Sequence, residues 1–328
     1  DIFGGADDLD KKIIRCVGVA GERFDEDALR ILRAIRFSAQ LGFEIDEATR
    51  AAMTEKAETL KDVSAERIRV ELIKLLTSKH PEKIAEACRL GLTRIVLPEY
   101  DTIVGVEQHT PNHIYDVEEH TLIALQNIED EQALRLTMLL HDFGKPAVKK
   151  HDDGRDIFYK HPEISAQVAK DILKRLKFDN YTIDKVVRLV KWHGLKYHPN
   201  EQSVRRALNR VGRDIFEEFI KVQKADVLAK NPRVVPGKLA LLEEKEAIYR
   251  QIIARGDCFE IKSLAVNGRD LIGAGIAPGP LLGAILERLV EMVIDDQSLN
   301  QREILIEKAL EVKEDPSIFD EKKYFFEK

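Results

Sequence analysis

The run from Leu134 to Leu140 is apolar nearly all the way round a helix, and it stops on His141-Asp142. A helix with no polar face has nothing to offer water and belongs in a core. This one therefore carries an imidazole and a carboxylate into that core at its end. A buried carboxylate without a partner costs several kcal/mol or shifts its pKa until it is neutral. The same conflict recurs along the chain: His120 shares a face with Val117, Thr121, Ala124 and Ile128, His193 follows Val186, Val187, Leu189 and Val190, and Asp226 continues a stripe of Phe219 and Val222. A divalent metal ion resolves all of these at once.

His120, His141, Asp142 and Asp226 supply two nitrogens and two carboxylates from three predicted helices. Imidazole plus carboxylate suits Mn, Ni, Fe, Zn or Mg in varying degree. Such an ion binds water, lowers its pKa and polarises a phosphoryl oxygen. His161 and His193 fall between these ligands in sequence and are candidates for a second ion or for the phosphate. Lys145, in His141-Asp142-Phe143-Gly144-Lys145, is a candidate catalytic cation that neutralises phosphate charge. His109, His113, His151 and His198 lack comparable positions and read as loop or surface residues.

Helix-period patterns heavily outnumber strand patterns elsewhere, which gives an all-α fold class. Asp25 reads as the N-cap of a helix that Gly42 closes, with Leu29, Leu32, Ile35 and Ala39 recurring along it. Further helices are predicted over 46–59, after Ser64, from Pro81 to Gly91, and over 116–128, 131–142, 162–177, 182–194, 202–211, 214–230 and 237–255. A short helix opens at Gly268, and two more follow Gly283. Segments 98–111 and 144–160 read as connections, and beyond Glu314 the charges suggest a loosely held tail. The exception is the apolar run Lys12 to Val17, which reads as a single strand. A lone strand needs a sheet to join, so a sheet upstream of Asp1 is expected.

With 328 residues the chain is long enough for about two domains. Its net charge of -6 rules out a global basic field, although a local basic face can still bind nucleic acid. Three cysteines without a C-x-x-C pair fit neither a disulfide framework nor a thiolate zinc site, which favours a reducing cytoplasm.

A second segment carries a possible recognition chemistry. In Arg23-Phe24-Asp25-Glu26-Asp27-Ala28-Leu29-Arg30, a continuous helix puts Asp27 and Arg30 side by side. A carboxylate beside a guanidinium offers an acceptor next to a donor, which matches the Watson–Crick edges of cytosine and adenine and opposes those of guanine and uracil. Arg23, Arg33 and Arg36 add charge suited to phosphates. The plain alternative is a Glu26–Arg30 helix pair, worth about 0.2–0.5 kcal/mol.

The metal pattern over roughly 113–230 resembles the HD-domain metal-dependent phosphohydrolases. Phe3-Gly4-Gly5, Asp8-Leu9, Ile14 to Gly18, Arg23-Phe24 and Glu26 to Arg30 look like the bacterial CCA-adding tRNA nucleotidyltransferases and their poly(A) polymerase relatives. Glu66 to Leu72, Leu264 to Leu271 and Leu299 to Glu303 continue that likeness in the same order. The resemblance implies that Asp27 and Arg30 template incoming CTP or ATP, and that tRNA is the partner. It divides the chain into a head remnant (1–20), a neck (21–98), an HD body (99–235) and a tRNA-binding tail (236–328). It also implies that the carboxylates holding Mg for nucleotidyl transfer lie before residue 1. Gly4-Gly5 and Asp8 are too compressed to be that machinery. The alternatives are a stand-alone metal phosphohydrolase acting on 2′,3′-cyclic phosphates, and an RNA-binding helical scaffold whose metal site does not turn over.

Overall fold

The structure is a computed structural model that describes residues 1–314; the tail expected beyond Glu314 lies outside the described residues. Helices dominate, in keeping with an all-α body, and the strands among the described residues form two two-stranded ribbons. The chain divides into two compact units, Asp1–Gly194 with Glu217–Leu239, and Leu195–Phe216 with the segment from Ala240 onward.

In the first unit, helix Leu29–Leu41 packs along helix Ala65–Leu76. Ser64 caps the latter by accepting from the Arg67 N–H. Leu29, Ile31, Leu32, Ile35 and Ala39 are buried on one side, and Ile68, Leu72, Leu75 and Leu76 on the other. Burial of each such large aliphatic side chain contributes roughly 1.5–3 kcal/mol. Helix Gln132–Leu140 is buried from Ala133 to Leu140 and packs against Val117–Gln126, Asn180–Trp192, His161–Arg175 and Ala65–Leu76. Its largely apolar surface is what lets four helices surround it.

Four expectations change. The helix predicted from Asp25 is two helices, Ala20–Glu26 and Leu29–Leu41. Asp27 between them is extended (φ −154°, ψ 100°), and its carboxylate accepts the Leu29 N–H at 3.2 Å. That side-chain bond competes with a continuous helix and starts a new one. Asp25 sits inside the first helix and pairs with Lys56 at 2.7 Å.

The predicted strand shrinks to Ile13–Ile14, and the sheet it joins is in the chain: it runs parallel to Glu44–Ile45. Within 98–111, Pro98–Asp101 is a short helix started by proline in its first turn. Within 144–160, a turn of helix, Lys145–Val148, precedes a hairpin of Lys150–Asp152 and Arg155–Ile157. Asp153 and Gly154 occupy its turn with φ of 45° and 72°, which the two-residue hairpin turn demands.

In the second unit, helix Glu201–Val211 packs on helix Pro280–Asp295, which also carries Arg302–Lys313. Buried Arg205 ties this unit together, donating to Asp257 at 2.8 Å and to the Ile294 carbonyl at 3.0 Å. The short helix at Gly268 forms as predicted, with Asn267 and Asp270 closing a capping box.

Candidate metal centre and templating segment

Five structural positions bring six titratable side chains together. His120 sits in helix Val117–Gln126, which Asp116 starts with a capping box to Glu119. His141 and Asp142 follow directly on helix Gln132–Leu140, and Asp226 lies in helix Phe216–Leu228. His161 opens helix His161–Arg175, and His193 ends helix Asn180–Trp192. Gly144 makes the close approach possible. A Cβ there would lie 2.6 Å from both the His161 carbonyl oxygen and the Ser165 nitrogen, so no other residue fits.

The side chains form two adjacent triads, His120–His141–Asp226 and Asp142–His161–His193. In the first, His120 Nε2 is 3.2 Å from His141 Nε2 and 3.1 Å from Asp226 Oδ1. In the second, His161 Nε2 is 3.4 Å from His193 Nε2 and 3.4 Å from Asp142 Oδ1. Asp142 faces both, because its Oδ2 lies 3.1 Å from His141 Nε2 and 3.5 Å from His120 Nε2.

The tautomers decide what this cluster can hold. Each of the four imidazoles places Nδ1 against a backbone carbonyl: Ala229 for His120 (3.0 Å), and Met138, Phe158 and Val190 for His141, His161 and His193 (2.7 Å each). A carbonyl can only accept, so each Nδ1 carries the proton and each neutral ring turns its Nε2 lone pair inward. With all four rings neutral, four lone pairs and two carboxylates converge. Two imidazole nitrogens on one ion at roughly 2.0–2.1 Å stand roughly 3.3 Å apart in a tetrahedral arrangement, which matches both nitrogen–nitrogen distances. Neither Asp142 oxygen makes a hydrogen bond of acceptable geometry, although Lys145 Nζ lies 2.6 Å from Oδ2. This donor set fits a pair of divalent ions sharing Asp142.

The electrostatics agree at three of the four imidazoles. Burial pushes the pKa of His120 and His161 down, and that of His193 down to about 3. His141 moves the other way: burial opposes it, but the adjacent Asp142 charge draws a proton onto the ring. Asp142 and Asp226 stay well below the usual carboxylate range despite burial, Asp142 through His141 and Lys145, Asp226 through Lys230 and His120. Lys145 is itself buried, and beside its ion pair with Asp142 it donates to Gln108 Oε1 at 2.6 Å.

Two further histidine features were not legible as sites. His113 is half-buried with its ring 5.0 Å from that of His120, and its Nδ1 is buried without a hydrogen-bond partner. Burial brings its pKa down to about 3. His109 and His151 are exposed but share buried Asp156, each Nδ1 lying 2.9 Å from a carboxylate oxygen. Asp156 also accepts the His109 N–H at 2.9 Å and faces Lys149 Nζ at 3.1 Å. Its acceptor capacity is filled by donors, so this third triad works as a structural hub. His198 is exposed, as expected.

The templating segment differs from expectation. Asp27 and Arg30 do not pair across one helix face, because the chain breaks between the two helices at Asp27. Asp27 instead receives Arg67 NH2 on both oxygens, at 3.1 and 2.9 Å. Burial would raise its pKa, but Arg67 and the Leu29 N–H bring it below the usual value. Arg30 donates to Glu26 Oε2 at 2.7 Å and to the Arg23 carbonyl at 2.8 Å, and Arg23 also pairs with Glu26. Arg33 is exposed, whereas Arg36 is buried in an ion pair with Glu71 at 2.9 Å and is unavailable to phosphate. Arg67 is the residue that sequence reasoning missed; its position 40 residues from Asp27 gave no local signal.

Residues 42–103 match a family model described as the probable RNA and SrmB-binding site of polymerase A, and residues 157–309 match one described as tRNA nucleotidyltransferase domain 2, putative. A CC-adding tRNA nucleotidyltransferase of Thermus thermophilus is 30% identical over 307 residues, covering 88% of this chain and 67% of the relative. A CCA-adding enzyme of Levilactobacillus brevis is 32% identical over 93% of this chain, which spans 66% of that relative's length. An A-adding tRNA nucleotidyltransferase of Deinococcus radiodurans is 29% identical over 89% of this chain. The solved Bacillus stearothermophilus CCA-adding enzyme in complex with CTP shares the fold, with a TM-score of 0.65 and 22% identity over 95% of this chain and 68% of the other. The chain belongs to the tRNA nucleotidyltransferase family.

Proposed function

We propose that this chain is the nucleotide-templating and RNA-gripping portion of a tRNA nucleotidyltransferase that adds CCA, CC or A to tRNA 3′ ends. The observation that carries this reading is the family match along nearly the whole chain, with Asp27 and Arg30 falling inside it. Solved enzymes of similar fold hold CTP, ATP and tRNA. Asp27 accepts from the amino group of cytosine or adenine, and Arg30 donates to the ring nitrogen beside it. Both must first exchange their present partners, Arg67 and Glu26, for the base. Arg23 and Arg33 face the phosphates. Residues 1–20 are then the end of the head, 21–98 the neck, 99–235 the HD body and 236–328 the tRNA-binding tail, in a cytoplasmic protein; no helix among the described residues is long and apolar enough to cross a membrane. Mg for nucleotidyl transfer belongs to the head. Titrating CTP, ATP, GTP and UTP into the chain tests the template: CTP and ATP are expected to bind best, and Asp27→Asn to abolish the preference. Extension of a tRNA transcript by the full-length encoded protein tests the activity, and no incorporation of CMP or AMP would sink it.

A second activity has its own supporting observation, the four inward lone pairs around Asp142. We infer that His120, His141, Asp142 and Asp226, with His161 and His193, hold divalent metal and form a phosphoester hydrolase centre. Mn, Ni, Fe, Zn and Mg are all admissible with this donor set. The metal supplies Lewis acidity and an acidified water. The backbone carbonyls fix the four imidazoles, the apolar shell excludes bulk water, and Lys145 supplies positive charge for a phosphate once Asp142 is engaged. Metal analysis of the purified chain with and without His141→Ala tests the site, and hydrolysis of 2′,3′-cyclic AMP with Mn or Ni tests the activity.

A further inference from the structure

Across the hairpin turn at Asp153-Gly154, His151 stands directly opposite Asp156, so their side chains share one face of the ribbon. The backbone brings a third residue to them. The Asp156 N–H donates to the His109 carbonyl at 3.0 Å, and the His109 N–H donates back to the Asp156 carboxylate at 2.9 Å. One ligand atom from each of His109, His151 and Asp156 lies within 4.8 Å of the other two. Both rings face the carboxylate through Nδ1, His109 at 2.9 Å from Oδ2 and His151 at 2.9 Å from Oδ1. This group shares no residue with the six-residue cluster.

The donors at Asp156 are of two kinds. The His109 N–H and Lys149 Nζ can only donate, and both sit on Oδ2. An imidazole donates from Nδ1 in one tautomer and presents a lone pair there in the other. The choice matters most at His109, because Asp156 faces its Nδ1 and Glu107 Oε2 lies 3.4 Å from its Nε2. A neutral ring has one N–H for these two carboxylates. With the proton on Nδ1, Glu107 meets a lone pair; with the proton on Nε2, Asp156 does. A cation between Nδ1 and Asp156 removes the conflict and leaves the Nε2–H for Glu107. Metal-ligating histidines are ordinarily held in this way, with the other ring N–H on a carboxylate. A second proton on the ring is the rival solution, and acid favours it.

We propose that His109, His151 and Asp156 bind one divalent ion of the zinc class as an exchangeable clip between the hairpin and the loop before helix Val117–Gln126. Both imidazoles ligate through Nδ1 and carry their proton on Nε2, so neutral rings release no net proton. Two nitrogens and one oxygen suit Zn, Co or Ni better than Mg or Ca, which take oxygen ligands. Ligand atoms on one tetrahedral ion stand roughly 3.3 Å apart, so the two 2.9 Å separations must open slightly. The rings are free to do so, being about half exposed (54% and 60%) around a buried carboxylate. Lys149 Nζ, 3.1 Å from Oδ2, opposes the ion and keeps its affinity modest.

The test is zinc titration at neutral pH in an Asp142→Asn background, which removes the ligand shared by the two cluster triads. One equivalent is expected to bind. His151→Ala should weaken it about tenfold or more, and Glu107→Gln, through the lost partner of the His109 Nε2–H, roughly tenfold. Lys149→Gln should tighten it. Zinc should also slow amide exchange in the 150–156 hairpin of the background protein and not in that of His151→Ala. No zinc binding, or equal affinity with and without His151, overturns the proposal. Should Asp142→Asn fail to fold, His151→Ala in the parent chain is read by metal analysis after zinc loading. Loss of one equivalent supports the clip, and unchanged content overturns it.

Discussion

Asp142 and Asp27 are both carboxylates set among basic groups, and they sit in different physical regimes. Asp142 is sealed from water at the end of a helix buried from Ala133 to Leu140, with imidazole nitrogens facing both of its oxygens and no good hydrogen bond on either. Asp27 is partly exposed at a break between helices, and its oxygens are taken by Arg67 and the Leu29 N–H. In a low-dielectric interior a polar group left unmet is costly, so a cluster of them marks a place where a charge of opposite sign belongs. At a water-facing surface the groups find partners among themselves, and a ligand has to displace those partners. The histidine–aspartate cluster is accordingly preorganised, and the proposed templating segment is closed upon itself.

The largest break in this comparison should come from removing the metal proposed for the cluster. An ion at a thousand times its Kd stabilises the folded chain by about 4 kcal/mol. Stripping it with a chelator should therefore lower the thermal midpoint by several degrees, while leaving CTP binding at the templating segment unchanged. Asp142→Asn should empty both triads, whereas His161→Ala should cost one equivalent of metal and His120→Ala the other. Equal losses in all three variants would mean a single-ion site.

Gly144→Ala comes next. Its new Cβ would sit 2.6 Å from two backbone atoms at the start of helix His161–Arg175, and backbone cannot rotate away. Overpacking of this kind costs about 1–3 kcal/mol, readable as a lower denaturant midpoint. It should also lower metal content in the Asp142–His161–His193 triad, because the helix carrying His161 must shift.

How much of this was legible in the sequence follows from the same contrast. His120, His141, Asp142, Asp226 and His193 announced themselves because each is a polar group at a helix position that periodicity marks as core. Position alone says that such residues share a cause, and the structure brings them together. The tautomers, set by four backbone carbonyls, depend on tertiary placement that no window of residues encodes. The templating segment read less well. A continuous helix was the natural extrapolation through Glu26-Asp27-Ala28, yet an aspartate can satisfy a nearby N–H and start a fresh helix. Arg67 lies beyond any local pattern. The 150–157 hairpin went unread: Asp153-Gly154 is a strong turn signal, but its flanking residues are too polar and too few to read as strands.

The hub at Asp156 sharpens the comparison through pH. Its carboxylate is held far below the usual range, first by the His109 backbone N–H and, against the opposing effect of burial, by His151, His109 and Lys149. A depressed folded pKa means that its stabilisation is fully present above the unfolded value of about 3.9 and is lost as the pH falls below it. Between pH 5 and pH 3 the parent chain should therefore lose more of its denaturant midpoint than Asp156→Asn does. An identical pH slope in the two proteins would mean that the hub adds nothing to stability.

The smallest effect is expected at Arg67, and it is the most informative about the templating segment. The Arg67–Asp27 pair lies 2.9 Å apart with both partners partly exposed, a class of ion pair worth roughly 0–1 kcal/mol. Arg67→Ala should therefore change global stability by less than about 1 kcal/mol, and the Arg67→Ala, Asp27→Asn cycle should show coupling of the same size, shrinking in high salt. Nucleotide binding should respond differently from stability. If Arg67 only occupies Asp27 until a base arrives, its removal tightens CTP and ATP binding by removing a competitor. If it also orients Asp27 toward the base, its removal weakens both and narrows their advantage over GTP and UTP. The sign of that change, measured on a variant whose fold and metal content are unaltered, separates a competitor from a positioning residue.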